Sequence, residues 1–139
     1  MTACQESKHE GGCLCGAVRY RVNGPIESVA HCHCNSCRRS AGAAFVTWFT
    51  VPRERHEWTI GTPKRFASSP GVTREFCGTC GTELAYSNEK AAKTIDLTIG
   101  SLDCAAGHPA DRHIWTADRL DWLRLDDHLP AHGGWSTQD

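Results

Sequence analysis

Hydrophobic positions along this chain recur mostly with the two-residue period of β-strands. "GAVRYRV" (16–22) alternates small or apolar residues with polar ones. "AAFVTWFTV" (43–51) is rich in β-branched and aromatic side chains, which suit a pleated surface. "KTIDLTIGSL" (93–102) sets Ile95, Leu97 and Ile99 against polar neighbours and predicts one buried face. "VTREFC" (72–77) and "TELAYS" (82–87) read as strands entering and leaving the loop "CGTCG" (77–81). "EWTIG" and "KRFASS" flank a Gly-Thr-Pro turn and predict a hairpin. The helical signal is confined to "CNSCRRSAG" (34–42), one turn stopped at Gly42, while "RLDWLRLDD" (119–127) fits a strand or a single helical turn. The expectation is an all-β domain of about eight short strands. It spans residues 11–131, with loose tails at 1–10 and 132–139.

A chain of 139 residues is the size of one ordinary domain. Its hydrophobic content of 40% is adequate for a core that a metal staple would help. Net charge is −1, from 15 basic and 16 acidic residues, and no block of five like charges occurs. Nucleic acid and anionic membrane surfaces are therefore poor partners, since both call for a basic patch. No run of 18 apolar residues occurs, and "MTACQESKHEGG" (1–12) lacks the apolar stretch of a secretory signal. The composition points to a soluble cytoplasmic protein.

The cysteines change the picture more than any bulk property. There are nine, and seven fall into three clusters: C-x-C (Cys13, Cys15), C-x-C-x-x-C (Cys32, Cys34, Cys37) and C-x-x-C (Cys77, Cys80). An odd count and tight spacing favour metal binding over a disulfide framework. Residues i and i+2 of a strand face one side, so Cys13 and Cys15 can offer two thiolates to one ion. The glycines of "CGTCG" permit a tight turn that aims backbone N–H groups at sulfur. Joined, the two pairs make a closed four-cysteine zinc site, which is a structural arrangement.

Cys32, Cys34 and Cys37 are one ligand short of such a closed site. Either His31 or His33 supplies a fourth, giving a second structural site, or the fourth position stays open for water or substrate, as in catalytic zinc. Zinc with three thiolates carries a charge of about −1, which blunts it toward water but suits binding and ionising a thiol of free pKa ~8.5. Arg38 and Arg39 are candidates to balance that charge or hold a ligand carboxylate, or are ordinary solvated arginines beside a turn.

Five segments, "GGCLCGAVRYRV", "HCHCNSCRRSAGAAF", "REFCGTCGTELAY", "IDLTIGSLD" and "PADRHIWTADRLDWLRLDDHLP", occur together in one order over residues 11–130. In them the chain resembles the glutathione-dependent formaldehyde-activating enzyme family, which includes the centromere protein V group. The resemblance implies an Mss4-like β-tent of antiparallel sheets stapled by zinc. It implies two zinc ions per chain: a structural one on Cys13, Cys15, Cys77 and Cys80, and a catalytic one on Cys32, Cys34 and Cys37 with an open fourth position. The reaction implied is that of a carbon–sulfur lyase read in reverse, adding glutathione to formaldehyde to give S-hydroxymethylglutathione. The partners implied are a small-molecule thiol and an aldehyde. The basic extension of the centromere-linked members is absent, which argues against a chromatin role. The alternative is a non-catalytic zinc-stabilised β module that binds a protein partner, as other Mss4-like folds do.

The remaining residues read more plainly. Cys4 and Cys104 have no cluster partner and are expected as spare thiols. His113 is expected as a structural histidine, and His56, His108, His128 and His132 as surface residues. Trp48, Phe49, Trp58, Trp115 and Trp122 are expected in the core or at its edge, where one or two could wall a cleft beside the second zinc. Asp96 and Asp103 are candidate acceptors behind a metal ligand.

Overall fold

A computed structural model describes residues 7–136. Alternating patterns become strands almost throughout. The order is β1 (Lys8–Gly12), β2 (Arg19–Asn23), β3 (Ser28–Cys32), α1 (Asn35–Ala41), β4 (Val46–Pro52), β5 (His56–Ile60), β6 (Lys64–Ser69), β7 (Val72–Phe76), β8 (Glu83–Asn88), β9 (Thr94–Thr98) and β10 (Arg112–Ile114). Strands β1, β2 and β5 form one antiparallel sheet, and a seven-stranded sheet runs β10-β3-β4-β9-β8-β7-β6. The β10–β3 pair is parallel and every other named pair is antiparallel. The all-β class expected from the periodicity is the observed one. Among the described residues no helix is long and apolar enough to cross a membrane.

Two apolar clusters lie inside. The larger gathers Tyr20 and Val22 of β2, Phe49 and Val51 of β4, Leu84 of β8, and Ile95 and Leu97 of β9, and it includes Cys13 and Cys77. The smaller gathers Ala30 and Cys32 of β3, Cys37 of α1, Val46 and Trp48 of β4, and Ile114 of β10. Each cysteine group therefore has a hydrophobic floor. Such a floor excludes water and strengthens electrostatic contacts at sulfur.

Several elements differ from the sequence expectation. Strands β5 and β6 form, but not as a hairpin: β5 pairs with β2, and β6 pairs with β7. Gly61 turns the chain with φ +68, and the following strand finds its partner in the other sheet. Trp58 instead packs edge-on against Tyr20 at 5.9 Å. The helix extends over Asn35–Ala41, longer than one turn, and ends where Gly42 adopts φ 62. The 119–127 segment forms neither strand nor helix. Residues 8–10, placed in a tail by the sequence pattern, begin β1. At the other end Trp115 N–H donates to Gly134 O, and Arg112 Nε–H donates to buried Ser136. Trp122 is 70% exposed, outside the core where the aromatics were expected.

Candidate metal centres

Cys13 lies just past β1, and its loop returns through Gly16, which at φ 81 donates its N–H to Cys13 O. Cys77 follows β7, and Gly81, at φ 82, likewise donates to Cys77 O. The two loops are matched knuckles. Each turns on a glycine because a side chain is disfavoured in the left-handed region. Val18 N–H reaches Cys13 Sγ at 3.3 Å, and Thr79 and Cys80 N–H reach Cys77 Sγ at 3.3 and 3.4 Å. Leu14 N–H donates to Thr82 Oγ1 at 3.0 Å and ties the loops together.

The four sulfurs of Cys13, Cys15, Cys77 and Cys80 converge within 4.8 Å of one another. Cys13 and Cys15 are 3.7 Å apart, and Cys15 and Cys77 are 3.8 Å apart. A tetrahedral zinc with Zn–S bonds of ~2.3 Å requires S···S separations of about 3.8 Å, so the donor set fits that ion. Hydrogen bonds from the Thr82 hydroxyl and backbone lower the Cys80 thiol to about 5, which prepares it as a thiolate ligand.

The second group forms where β3 runs into α1. Cys32 ends the strand, Cys34 caps the helix, and Cys37 sits in its first turn. Cys34 Sγ accepts the Cys37 N–H at 3.2 Å, so the cap is itself a ligand atom. The three sulfurs lie within 4.8 Å of one another. Cys32 and Cys37 are buried and Cys34 is half-buried, so Cys34 is the most exposed of the three. Hydrogen bonds with Cys32 and then Cys37 pull the Cys34 thiol far below the ordinary thiol range, and the Arg74 charge adds to this. Trp48 and Trp115 pack in the apolar cluster around this group, in the core and at its edge as expected.

Among the described residues no histidine or carboxylate joins those three sulfurs. His31 turns its Nδ1 to Thr47 Oγ1 at 2.7 Å. His33 turns its Nε2 to Nδ1 of His113 at 2.9 Å, and His113 Nε2 meets Asp127 Oδ2 at 2.8 Å. Burial lowers the pKa of His33 to about 4, and nearby His113 adds to the effect, so the ring stays neutral. His113 is the buried, satisfied structural histidine expected from its apolar neighbours.

Other candidates fall elsewhere. Arg38 caps back onto Asn35 Oδ1 at 3.0 Å rather than meeting a sulfur. Asp103 pairs with Arg19, and Asp96 accepts from Thr50 Oγ1 at 2.6 Å. Cys104 is disulfide-bonded and not a spare thiol, while Cys4 lies outside the described residues. His56, expected at the surface, is half-buried against Tyr20 and Trp58. The cation that does reach the second group was missed: Arg74 of β7 places Nη1 and Nη2 3.8 and 3.7 Å from Cys37 Sγ. Arg74 and Cys37 are 37 residues apart, and no spacing in the sequence links them.

The fold and the paired cysteine groups define an all-β protein with two sites able to hold metal ions. Comparison with known proteins makes the class specific. The chain belongs to the glutathione-dependent formaldehyde-activating enzyme family, whose model matches residues 8–118. A protein of Halomonas elongata, provisionally named a glutathione-dependent formaldehyde-activating enzyme, is 26% identical over 127 residues, covering 84% of this chain and 80% of its own. A solved structure of a Rhodobacter sphaeroides protein shares the fold, with a TM-score of 0.58 at 17% identity, over 88% of this chain and 98% of that one.

Proposed function

We propose that this chain is a zinc-dependent enzyme of the carbon–sulfur lyase type. It joins a small-molecule thiol such as glutathione to formaldehyde or a related small electrophile at Cys32, Cys34 and Cys37. Cys13, Cys15, Cys77 and Cys80 hold a second zinc whose role is structural. The observation that carries this reading is the difference between the two groups: four sulfurs in one, three in the other with His31 and His33 engaged elsewhere. A three-ligand set suits an ion that exchanges substrate, and a four-ligand set suits a closed one.

Zinc bound there supplies a positive centre that favours an incoming thiol as its thiolate. The chain's own residues do the rest. Cys32 and Cys37, buried against Trp48 and Ile114, keep water from two sides of the group. Half-buried Cys34 leaves the third side open to a substrate. The reaction forms one carbon–sulfur bond, and the proton lost by the thiol balances the alkoxide, giving a hydroxymethyl thioether. Seven of the described cysteines are free thiols, which a reducing compartment preserves, against one disulfide-bonded cysteine, Cys104, and we place the protein in the cytoplasm.

The test is the rate of adduct formation from glutathione and carbon-13 formaldehyde, followed by NMR with and without zinc-loaded protein. Acceleration over the spontaneous reaction, lost in Cys34→Ala, is the expected result. A protein that neither binds glutathione nor changes the rate would leave the partner-binding module as the better account.

A further inference from the structure

Arg74 is 5% exposed, an unusual position for a cation that is not part of an interface. A buried guanidinium must be paired and hydrogen-bonded to be tolerated. Its partners come from three elements. Glu83 of β8 accepts from Nη1 at 3.2 Å, and Ser68 Oγ of β6 accepts from Nε at 3.3 Å. The ring of Tyr86, its cross-strand neighbour, lies 5.2 Å beneath Cζ. The two terminal nitrogens then converge on one atom, Cys37 Sγ, at 3.8 and 3.7 Å.

We propose that Arg74 is a positioning residue of the three-cysteine group, holding Cys37 Sγ toward Cys32 and Cys34 and so setting how firmly that group retains its metal. The inference rests on the three-cysteine group being a metal site, as argued under Proposed function. A fork of two N–H donors on one sulfur fixes that atom in two directions, which a single lysine ammonium does less well. The grip extends to the helix that carries the ligand. Glu83 Oε1, held by Arg74, also accepts from Ser40 Oγ at 2.5 Å, one turn beyond Cys37. Strands β7 and β8 therefore hold α1 at two successive points on one side. Cys32 is fixed by the β3–β4 and β3–β10 ladders, and Cys34 by the Cys37 N–H. Cys37 is carried by α1 and packed in the smaller cluster, and Arg74 supplies the guanidinium contact to its sulfur. Groups behind a metal ligand change affinity by about 10–100-fold when removed.

The experiment compares wild type, Arg74→Lys, Arg74→Gln and the double variant Arg74→Gln/Glu83→Gln, all full-length and zinc-loaded. The double variant leaves no charge stranded on Glu83. Zinc per chain is counted across a graded EDTA competition, and cobalt(II) substituted into the weaker site reports thiolate ligation by its charge-transfer absorption. The expected result is loss of one of two ions at about 10-fold lower chelator in both Gln-bearing variants, with Lys between them and wild type. The four-cysteine ion should be retained equally in all four proteins. Unchanged competition, equal weakening of both ions, or unfolding of the single and double variants alike would overturn the proposal. A wild type that shows two ions but no affinity for glutathione would overturn the enzymatic reading alone.

Discussion

Nε2 of His33 lies 2.9 Å from Nδ1 of His113, across 80 residues of sequence. The backbone N–H of Leu129 holds the Asp127 carboxyl below its ordinary range, with His113 adding to the effect, so Asp127 accepts the His113 Nε2–H. Nδ1 of His113 and Nε2 of His33 share one hydrogen bond, so one ring donates and the other accepts. The remaining His33 nitrogen, Nδ1, is buried with no partner. The histidine set between Cys32 and Cys34 therefore faces the C-terminal segment, while its neighbours face each other.

Replacing His113 by Ala tests that arrangement. It leaves the buried Nε2 of His33 without its partner and should cost about 1–3 kcal/mol of stability. On the proposed reading, in which His33 is not a ligand, the zinc content should stay at two per chain. Denaturant unfolding with metal counting on the same samples checks both. Loss of one ion from a still-folded variant would mean that His33 belongs to the ligand set after all.

Gly61 offers a test of how the two sheets are joined. A Cβ there would lie 2.1 Å from the carbonyl oxygen of Ala17, and φ is +68. Gly61→Ala should cost about 1–3 kcal/mol for the forced fit and roughly 1–2 more for the left-handed backbone. Gly42→Ala, at φ +62 with nothing within 4 Å, should show only the second cost. Equal losses in the two variants would remove the Ala17 contact as the cause.

What could be read from the chain was what lies close together in it. Cys32, Cys34 and Cys37 declare themselves because a six-residue span fixes how far apart the sulfurs can be. Cys77 and Cys80 do so because their turn needs the glycines beside them. The β-strands were legible for the same reason, since Ile95 and Leu97 reveal their buried face without reference to any partner. Partner choice was not. The Gly61 turn looks the same whether β5 and β6 pair with each other or with other strands. Arg74 meets Cys37 only through the register of β7 against its neighbours, and His33 meets His113 only through the parallel β3–β10 pair. Such contacts depend on tertiary packing, which residue spacing does not encode.

His56 gives the fold a pH dependence separate from the metal groups. Burial, with repulsion from Arg53 next and Glu57 opposing, lowers its pKa to about 4 from an ordinary 6.5. The folded state thus refuses a proton that the unfolded chain takes up below pH 6.5. This contribution is fully present above pH 6.5 and is lost as pH falls toward about 4. Wild type should therefore lose more stability than His56→Gln between pH 7 and pH 5, measured by urea unfolding at each pH. Parallel slopes for the two proteins would rule out His56 as a source of the acid sensitivity.

The sharpest contrast concerns the two cysteine groups. A closed four-cysteine site joins the β1–β2 connection to the β7–β8 connection, 62 residues apart between Cys15 and Cys77. An unfolded chain rarely holds such a site preformed, so its metal-binding free energy is part of the folding free energy. Cys77→Ala should therefore unfold or aggregate the protein. The three-cysteine group spans only residues 32–37 and fastens little distant chain by itself. Cys34→Ala should stay folded, retain one zinc, and lose thiol binding with any carbon–sulfur chemistry. It also removes the acceptor of the Cys37 N–H, a cap worth about 0.5–2 kcal/mol, so a modest fall in melting temperature is expected. Circular dichroism, thermal melting and zinc counting on both variants, after zinc has been added back, measure the difference. If Cys34→Ala unfolds as completely as Cys77→Ala, both groups are structural, and the partner-binding module displaces the enzyme as the account of this chain.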